Sequence, residues 1–169
     1  MALREPRPAP YRVVPARLDD LDEIARIEKE SFLIPWKREF FQSELTEPYR
    51  YARVLAAEDG AMPRIGGYLF AVSLYEEFHI NKIATDPRLR NQGYGRQLLE
   101  DALARARAVG ATAVTLEVRV SNLPAREFYG SYGFQEAYRR RAYYQDGEDA
   151  FALVLTLADR DVGPHAPKR

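Results

Sequence analysis

Hydrophobic residues recur along this chain at two different spacings, which separate candidate helices from candidate strands. Spacings of three and four residues predict helices, whereas strict alternation predicts strands. The helical spacing predicts a first helix capped by Asp19 and Asp20, and a second, shorter helix after the sequence LIPW. It also predicts a long helix that stops at Gly110 and a short one between Pro124 and Gly133.

Alternating apolar positions predict strands both before and after the long helix. The candidate strands are Tyr11–Pro15 and residues 51–58, 64–75, 76–85, 113–120, 138–145 and 149–157. The second and third are predicted to pair antiparallel through DGAMP, and the last two form a hairpin turned by DGE. With a strand-loop-helix-strand unit in the centre, this order predicts an α+β fold, an α/β sandwich on one mostly antiparallel sheet.

Composition narrows the function classes. Lysine plus arginine and aspartate plus glutamate number 25 each, so no net field favours nucleic acid or a membrane surface as partner. The chain contains no cysteine, which excludes disulfides, thiolate metal sites and a cysteine nucleophile. It has only two histidines, His79 and His165, so a zinc site or a Ser-His-Asp triad would be hard to assemble. We therefore expect no metal.

The two ends of the chain differ from its middle. Residues 1–10 are rich in proline and residues 159–169 are polar, which is typical of flexible tails and leaves residues 11–158 as a single folded domain. The start lacks the apolar core of a signal peptide, and nowhere do about 18 apolar residues run together. A cytoplasmic protein is the expectation.

The central loop Arg90–Arg96, in the sequence RNQGYGR, lies between a candidate strand and a helix N-terminus, where unpaired N–H groups favour an anion. Gly93 and Gly95 would let the backbone approach a phosphate, and Arg90 and Arg96 could add charge-assisted hydrogen bonds. No Lys-Ser/Thr pair follows, which argues against a metal-bound triphosphate. A tight turn with solvated arginines remains an alternative interpretation of the loop alone.

The pattern [Q/R]-x-x-G-x-[G/A], here RNQGYG after IAT-DP, resembles the acetyl-CoA motif of the GNAT family of N-acetyltransferases. The segments IEKESFLIPWKREFF, LEVRVSNLPAREFYGSYGF and YYQDGEDAFALVL resemble ribosomal-protein alanine N-acetyltransferases of RimI type and related N-terminal acetyltransferases. The resemblance covers nearly all of the folded part. It implies the GNAT fold, a mostly antiparallel mixed sheet flanked by about four helices, and acetyl-CoA as the acetyl donor.

The resemblance also implies which residues hold acetyl-CoA. Backbone groups at the strand end would face the pantetheine and the acetyl carbonyl, loop residues would surround the pyrophosphate, and an asparagine would contact the pantetheine arm. These residues are, in that order, Ile83, Ala84 and Thr85; Arg90, Asn91, Gln92, Gly93, Tyr94, Gly95 and Arg96; and Asn122. Many relatives carry two basic residues where this chain has Asn91 and Gln92, so side-chain contacts to the phosphates are expected to be weaker here, while backbone N–H donation is retained.

Two residues are candidates for acid-base chemistry. Alternation places Thr115, Glu117 and Arg119 on the face opposite a buried stripe, where Glu117 could be merely a paired surface carboxylate. The resemblance of LEVR makes Glu117 the general base, acting directly or through a water. Tyr129 could be a core aromatic with a satisfied hydroxyl, but its place in FYGSYGF implies the general acid that protonates the CoA sulfur.

The resemblance further implies two walls around the acceptor. Tyr143 and Tyr144, predicted in a strand, would line one side, although alternation lets only one of them point inward. The opposite wall would be Phe32, Leu33, Pro35 and Trp36, although Phe32 and Trp36 could equally belong to the core.

The implied reaction is acetylation of a protein's N-terminal α-amino group, with an N-terminal alanine of a small-subunit ribosomal protein as the first candidate acceptor. Two alternatives remain. The acceptor could be a small-molecule amine or a protein lysine, or the chain could bind acetyl-CoA without turnover. The presence of both Glu117 and Tyr129 argues against the last.

Overall fold

The structure is a computed structural model that describes residues 10–157. Its helices are α1 (Leu21–Ser31), α2 (Arg38–Thr46), α3 (Tyr94–Ala108) and α4 (Leu123–Ser131). Its strands are β1 (Tyr11–Pro15), β2 (Arg50–Ala57), β3 (Ile65–Leu74), β4 (Glu77–Thr85), β5 (Ala113–Arg119), β6 (Gln135–Arg140) and β7 (Ala150–Thr156). Apart from Pro10, the predicted tails lie outside the described residues, as does residue 158.

The strands form one sheet in the order β1-β2-β3-β4-β5-β7-β6. Strands β1 and β2, β2 and β3, β5 and β7, and β6 and β7 pair antiparallel. Strands β4 and β5 pair in parallel. This pairing is possible because α3 connects them as a helical crossover. The predicted α+β fold with a mixed, mostly antiparallel sheet and four helices is confirmed.

Contacts divide the chain into two compact units. The first comprises residues up to Val72 and Ile80–Ala104. Its core forms where the apolar faces of α1 and α2 pack on β2 and β3. The buried residues of this cluster are Leu21, Ile24, Ile27, Phe41, Val54, Ile65, Tyr68 and Phe70.

The second unit comprises Ser73–His79 and the residues from Arg105 onward. In β5 the predicted alternation is present, because Val114, Leu116 and Val118 are buried while the residues between them are only partly buried. The prediction of a single domain over residues 11–158 stays a prediction.

The last hairpin differs from the prediction. Strand β6 covers residues 135–140 rather than 138–145, so Tyr143 and Tyr144 lie in the loop that connects it to β7. The chain turns at Ala142, whose φ is 48° and whose N–H donates to the Asp149 carboxylate at 2.7 Å. This side-chain bond replaces a strand bond, and the argument that only one of the two tyrosines can point inward was therefore wrong.

Two helix starts also differ. Asp20 precedes α1, but its carboxylate accepts hydrogen bonds from the Arg17 N–H and from Arg64 instead of capping the helix. Helix α3 already begins at Tyr94, so the last part of the predicted loop is its first turn.

Candidate active site

The first unit holds the residues predicted for acetyl-CoA on either side of a short turn at Pro87–Leu89. Asp86 caps this turn by accepting from the Arg88 N–H at 2.9 Å, and it also accepts from the guanidinium groups of Arg88, at 3.0 Å, and Arg26, at 2.9 Å. Burial alone would raise the pKa of Asp86, but these hydrogen bonds outweigh it and lower the pKa to about 2. The ionised carboxylate thereby fixes the segment that leaves Thr85.

The start of α3 suits an anionic group. Gly93 has a φ of 83°, and a Cβ built there would meet no atom within 4 Å, so its surroundings are open. Asn91 also adopts a positive φ, of 61°. Beyond them, the first turn of a helix leaves its N–H groups without intrahelical acceptors, and no acidic residue lies in that turn. The donors present therefore fit a phosphate group.

Of the side chains around the start of α3, one is buried in the core and the others are exposed to solvent. The Tyr94 ring is buried and packs edge-on against Tyr11, with ring centroids 5.1 Å apart. Because its ring is buried, Tyr94 is suited to donate its backbone N–H to a bound anion rather than to contact the anion with its side chain. Arg90 and Arg96 are exposed, as are Asn91 and Gln92.

In the second unit, the Glu117 side chain is 14% exposed and lies between the His79 imidazole and the Arg140 guanidinium. Its Oε2 is 3.1 Å from His79 Nε2, and its Oε1 accepts from Arg140 Nη1 at 3.0 Å. Burial alone would raise the pKa of Glu117, but the contacts with His79 and Arg140 lower it. The carboxylate is therefore ionised at neutral pH and is a weak base.

His79 is a site residue that the sequence did not reveal as one. Its Nδ1 lies 2.6 Å from Thr115 Oγ1, and that hydroxyl also donates to Glu77. Both contacts depend on the parallel register of β4 and β5, in which His79 pairs with Thr115. The sequence carried one signal, a histidine at a strand position, but nothing in it indicated that register.

Tyr129 lies in α4, whose start is fixed by Asn122 and by Pro124 in its first turn. The ring is 6% exposed and packs on Phe128 and Phe134. Burial, and to a lesser degree the nearby Tyr144, raises the pKa of Tyr129, so its hydroxyl stays protonated at neutral pH. The Asn122 amide oxygen accepts from the Ala125 N–H at 3.2 Å, which leaves the amide nitrogen for any contact with pantetheine.

Tyr143 and Tyr144 contact each other edge-to-face, with ring centroids 5.1 Å apart. Tyr143 is 42% exposed, and the Arg140 guanidinium that pairs with Glu117 lies 4.4 Å from its ring centroid. The Arg119 guanidinium lies 4.0 Å from the Tyr144 ring. Burial raises the pKa of Tyr144 to about 12, although Arg119 opposes this shift. Both tyrosines thus belong to the surroundings of Glu117.

The predicted opposite wall lies in the first unit, in the loop between α1 and α2. Leu33 is 81% exposed and Pro35 is also exposed, whereas Phe32 and Trp36 are half-buried. The Trp36 ring packs on Phe41 with centroids 5.4 Å apart. Trp36 is therefore partly a core residue, while Leu33 and Pro35 are available for contact.

The predicted residues thus form two groups, each inside one compact unit. The strand end, the central loop Arg90–Arg96 and the α1–α2 loop belong to the first, and Glu117, Asn122, Tyr129, Tyr143 and Tyr144 belong to the second. Across residues 10–157, no three or more His, Asp or Glu side chains are grouped so as to hold a metal ion. In the same part of the chain, no helix has the length and apolar character that crossing a membrane requires.

Comparisons with known proteins show the family of this chain. The family model for the Acetyltransferase (GNAT) family matches residues 21–134. An N-alpha-acetyltransferase of Sulfurisphaera tokodaii is 36% identical over 157 residues, which cover 87% of this chain and 93% of the relative. A ribosomal protein bS18-alanine N-acetyltransferase of Escherichia coli is 34% identical over 142 residues, 82% of this chain and 93% of the relative. The crystal structure of the Escherichia coli ribosomal-protein alanine N-acetyltransferase superposes with a TM-score of 0.78 at 29% identity, covering 90% of this chain and 99% of that one.

Proposed function

Because this chain belongs to the GNAT family of acetyltransferases, we propose that it transfers the acetyl group of acetyl-CoA to the N-terminal α-amino group of a protein. The N-terminal alanine of a small-subunit ribosomal protein is the first acceptor to test. Support comes from the relatives above, which are named for N-terminal α-amino groups or for an alanine of ribosomal protein bS18. Such an acceptor implies that the reaction takes place in the cytoplasm.

One observation carries the choice of acceptor, namely that the Glu117 carboxylate is bound by His79 at 3.1 Å and by Arg140 at 3.0 Å, contacts that lower its pKa. A weak base cannot readily deprotonate a lysine ammonium, whose reference pKa is about 10.4. An α-amino group, with a reference pKa of about 7.7–8.0, is already partly neutral near pH 7. The site therefore suits an N-terminal amine better than a lysine side chain.

Proton transfer is assigned to residues of the second unit. The Glu117 carboxylate takes the proton of the acceptor amine, directly or through a water, and His79 and Arg140 position that carboxylate. When bound, acetyl-CoA supplies a thioester carbonyl for attack and a thiolate that leaves. The Tyr129 hydroxyl gives its proton to that sulfur. The burial that raises the pKa of Tyr129 also disfavours a thiolate held nearby, which limits the cost of moving the proton from the phenol to the sulfur.

Binding is assigned largely to the first unit. Backbone groups of Ile83–Thr85 hold the pantetheine and the acetyl carbonyl, and the open backbone at Gly93 together with the first turn of α3 holds the pyrophosphate. Leu33, Pro35 and Trp36 contact the first residues of the acceptor. From the second unit, Tyr143 and Tyr144 add aromatic contacts to the acceptor, and the Asn122 amide adds one to the pantetheine.

The test is acetyl-CoA turnover on short peptides that differ only in their first residue. A free N-terminal alanine peptide should be acetylated at its α-amino group, as shown by the mass of the N-terminal fragment. The control is the same peptide blocked at its N-terminus and carrying an internal lysine. Faster acetylation of the blocked peptide, or of a small amine such as spermidine, would contradict the proposal and favour the corresponding alternative.

A further inference from the structure

The last turn of α1 contains a carboxylate that the proposed reaction does not use. Glu28 is fully buried and accepts three hydrogen bonds. Its donors are the Trp36 backbone N–H at 2.9 Å, the Lys82 ammonium at 2.8 Å and the Tyr68 hydroxyl. One side chain therefore connects the end of the α1–α2 loop with β3 and β4.

Lys82 strengthens this connection from β4. Its side chain is 14% exposed, and its Nζ lies 3.8 Å from the ring centroid of Phe32 and 5.0 Å from that of Trp36. An ammonium this close to aromatic rings is attracted to them, and the attraction is stronger where water is excluded. Lys82 thus contacts residues that begin and end the α1–α2 loop.

The arrangement leaves the middle of the loop exposed. Leu33 and Pro35 lie between Phe32 and Trp36 and are open to solvent, so the fixed ends determine where these two side chains are presented. Attachment of α1 itself does not depend on the pair, because Leu21, Ile24 and Ile27 bury its apolar face. The pair is therefore placed to orient the loop rather than to hold the helix.

We propose that Lys82 and Glu28 are positioning residues that set the affinity for the acceptor peptide by fixing the α1–α2 loop. This inference rests on the proposed function, in which the loop contacts the first residues of that peptide. It predicts that loosening the loop weakens peptide binding but leaves acetyl-CoA binding and the chemical step nearly unchanged.

The first experiment compares Lys82→Met with Lys37→Met, which changes an exposed lysine of the α1–α2 loop that is not among the three partners of Glu28 described above. For Lys82→Met the peptide KM should rise at least about fivefold, while kcat and the acetyl-CoA KM stay within about twofold. Lys37→Met should change none of them. A rise in both KM values with a fall in kcat, or an unchanged peptide KM, would overturn the inference.

Because Lys82→Met leaves the Glu28 carboxylate buried with one partner fewer, the double variant Glu28→Gln/Lys82→Met, which removes both charges, is measured beside it. It should show the same selective rise in peptide KM. Thermal unfolding of each variant shows whether it is folded at the assay temperature.

The second experiment does not depend on the acceptor. Trp36 is the only tryptophan of the chain, so its fluorescence reports on this loop alone. Acrylamide should quench Trp36 more strongly in Lys82→Met than in the wild type or in Lys37→Met, and equal quenching would overturn the inference. A wild type that acetylates no peptide N-terminus would instead reject the proposed function, and the quenching result would still decide whether Lys82 fixes the loop.

Discussion

A shielded carboxylate and a buried tyrosine can be compared in each compact unit of this protein, Glu28 with Tyr68 in the first and Glu117 with Tyr129 in the second, and the two pairs are arranged differently. In the first unit the Tyr68 hydroxyl donates directly to Glu28, and both residues are fully buried. In the second unit Glu117 is bound by His79 and Arg140 instead. Within residues 10–157, the Tyr129 hydroxyl donates no hydrogen bond to another residue.

A glutamate and a tyrosine therefore have different roles in the two units. Burial, and then Glu28, raises the pKa of Tyr68, so its proton is held in a bond that stabilises the fold. Burial also raises the pKa of Tyr129, but its proton is not committed to an internal acceptor. A carboxylate and a tyrosine that satisfy each other are structural, whereas a pair kept apart can exchange protons with substrates.

The largest expected effect comes from replacing Tyr129 and Tyr68 by phenylalanine, which should separate a role in the reaction from a role in stability. Tyr129→Phe should lower kcat about 1,000-fold, because it removes the proposed proton donor, and leave the acetyl-CoA Kd within about threefold. Tyr68→Phe should leave kcat within about threefold but lower the free energy of unfolding by about 1–3 kcal/mol, because a Glu28 oxygen loses its donor. Steady-state kinetics, calorimetric titration with acetyl-CoA and urea unfolding measure these effects.

The comparison between the tyrosines would fail if Tyr129→Phe kept wild-type turnover. It would fail equally if Tyr68→Phe lost activity without losing stability, since that would make Tyr68 a participant in the reaction.

The carboxylate of the second unit should show a smaller effect that depends on pH. Glu117→Gln should lower kcat/KM for the peptide about 100-fold near pH 6.5, where the acceptor amine is mostly protonated. The loss should shrink above about pH 8, where the amine is largely neutral without help. The measurement is a pH profile between pH 6 and 9 for wild type and variant.

The matched control for that profile is Glu77→Gln. Glu77 belongs to the same chain of contacts, through Thr115, but its side chain is 49% exposed and does not contact Glu117. The Glu77→Gln variant should therefore lose little activity at any pH. Parallel profiles for wild type and Glu117→Gln would show that Glu117 is not the base.

Sequence patterns predicted this fold well because most of its elements are determined locally. The alternation in β5 correctly placed Glu117 on the face opposite the buried stripe, and the apolar spacing found all four helices. The loop that holds Tyr143 and Tyr144 was missed because its turn depends on a bond from Ala142 to Asp149, seven residues away. Residue types alone do not reveal such a bond between side chain and backbone.

The surroundings of the candidate site were harder to predict for a related reason. Contacts between Glu117 and His79 require the register of β4 against β5, which are separated in sequence by the whole of α3. Glu28 looked like an ordinary polar residue of α1, and only the fold shows it between Lys82 and Tyr68. The roles of the site residues themselves stay predictions that the experiments above test.

The smallest expected effect concerns the stability that Glu117 contributes. Its pKa in the folded protein is lowered from 4.5, with burial opposing and the contacts with His79 and Arg140 outweighing it. A lowered pKa means that the carboxylate stabilises the fold fully above the unfolded-state pKa and loses that contribution as pH falls through the folded pKa. Glu117→Gln should therefore lower the urea midpoint at pH 7, and the difference from wild type should shrink when both are unfolded at pH 4 and pH 3. A difference that stays constant down to pH 3 would mean that Glu117 contributes through packing and through hydrogen bonds that do not need its charge, and the electrostatic role of its contacts with His79 and Arg140 would be rejected.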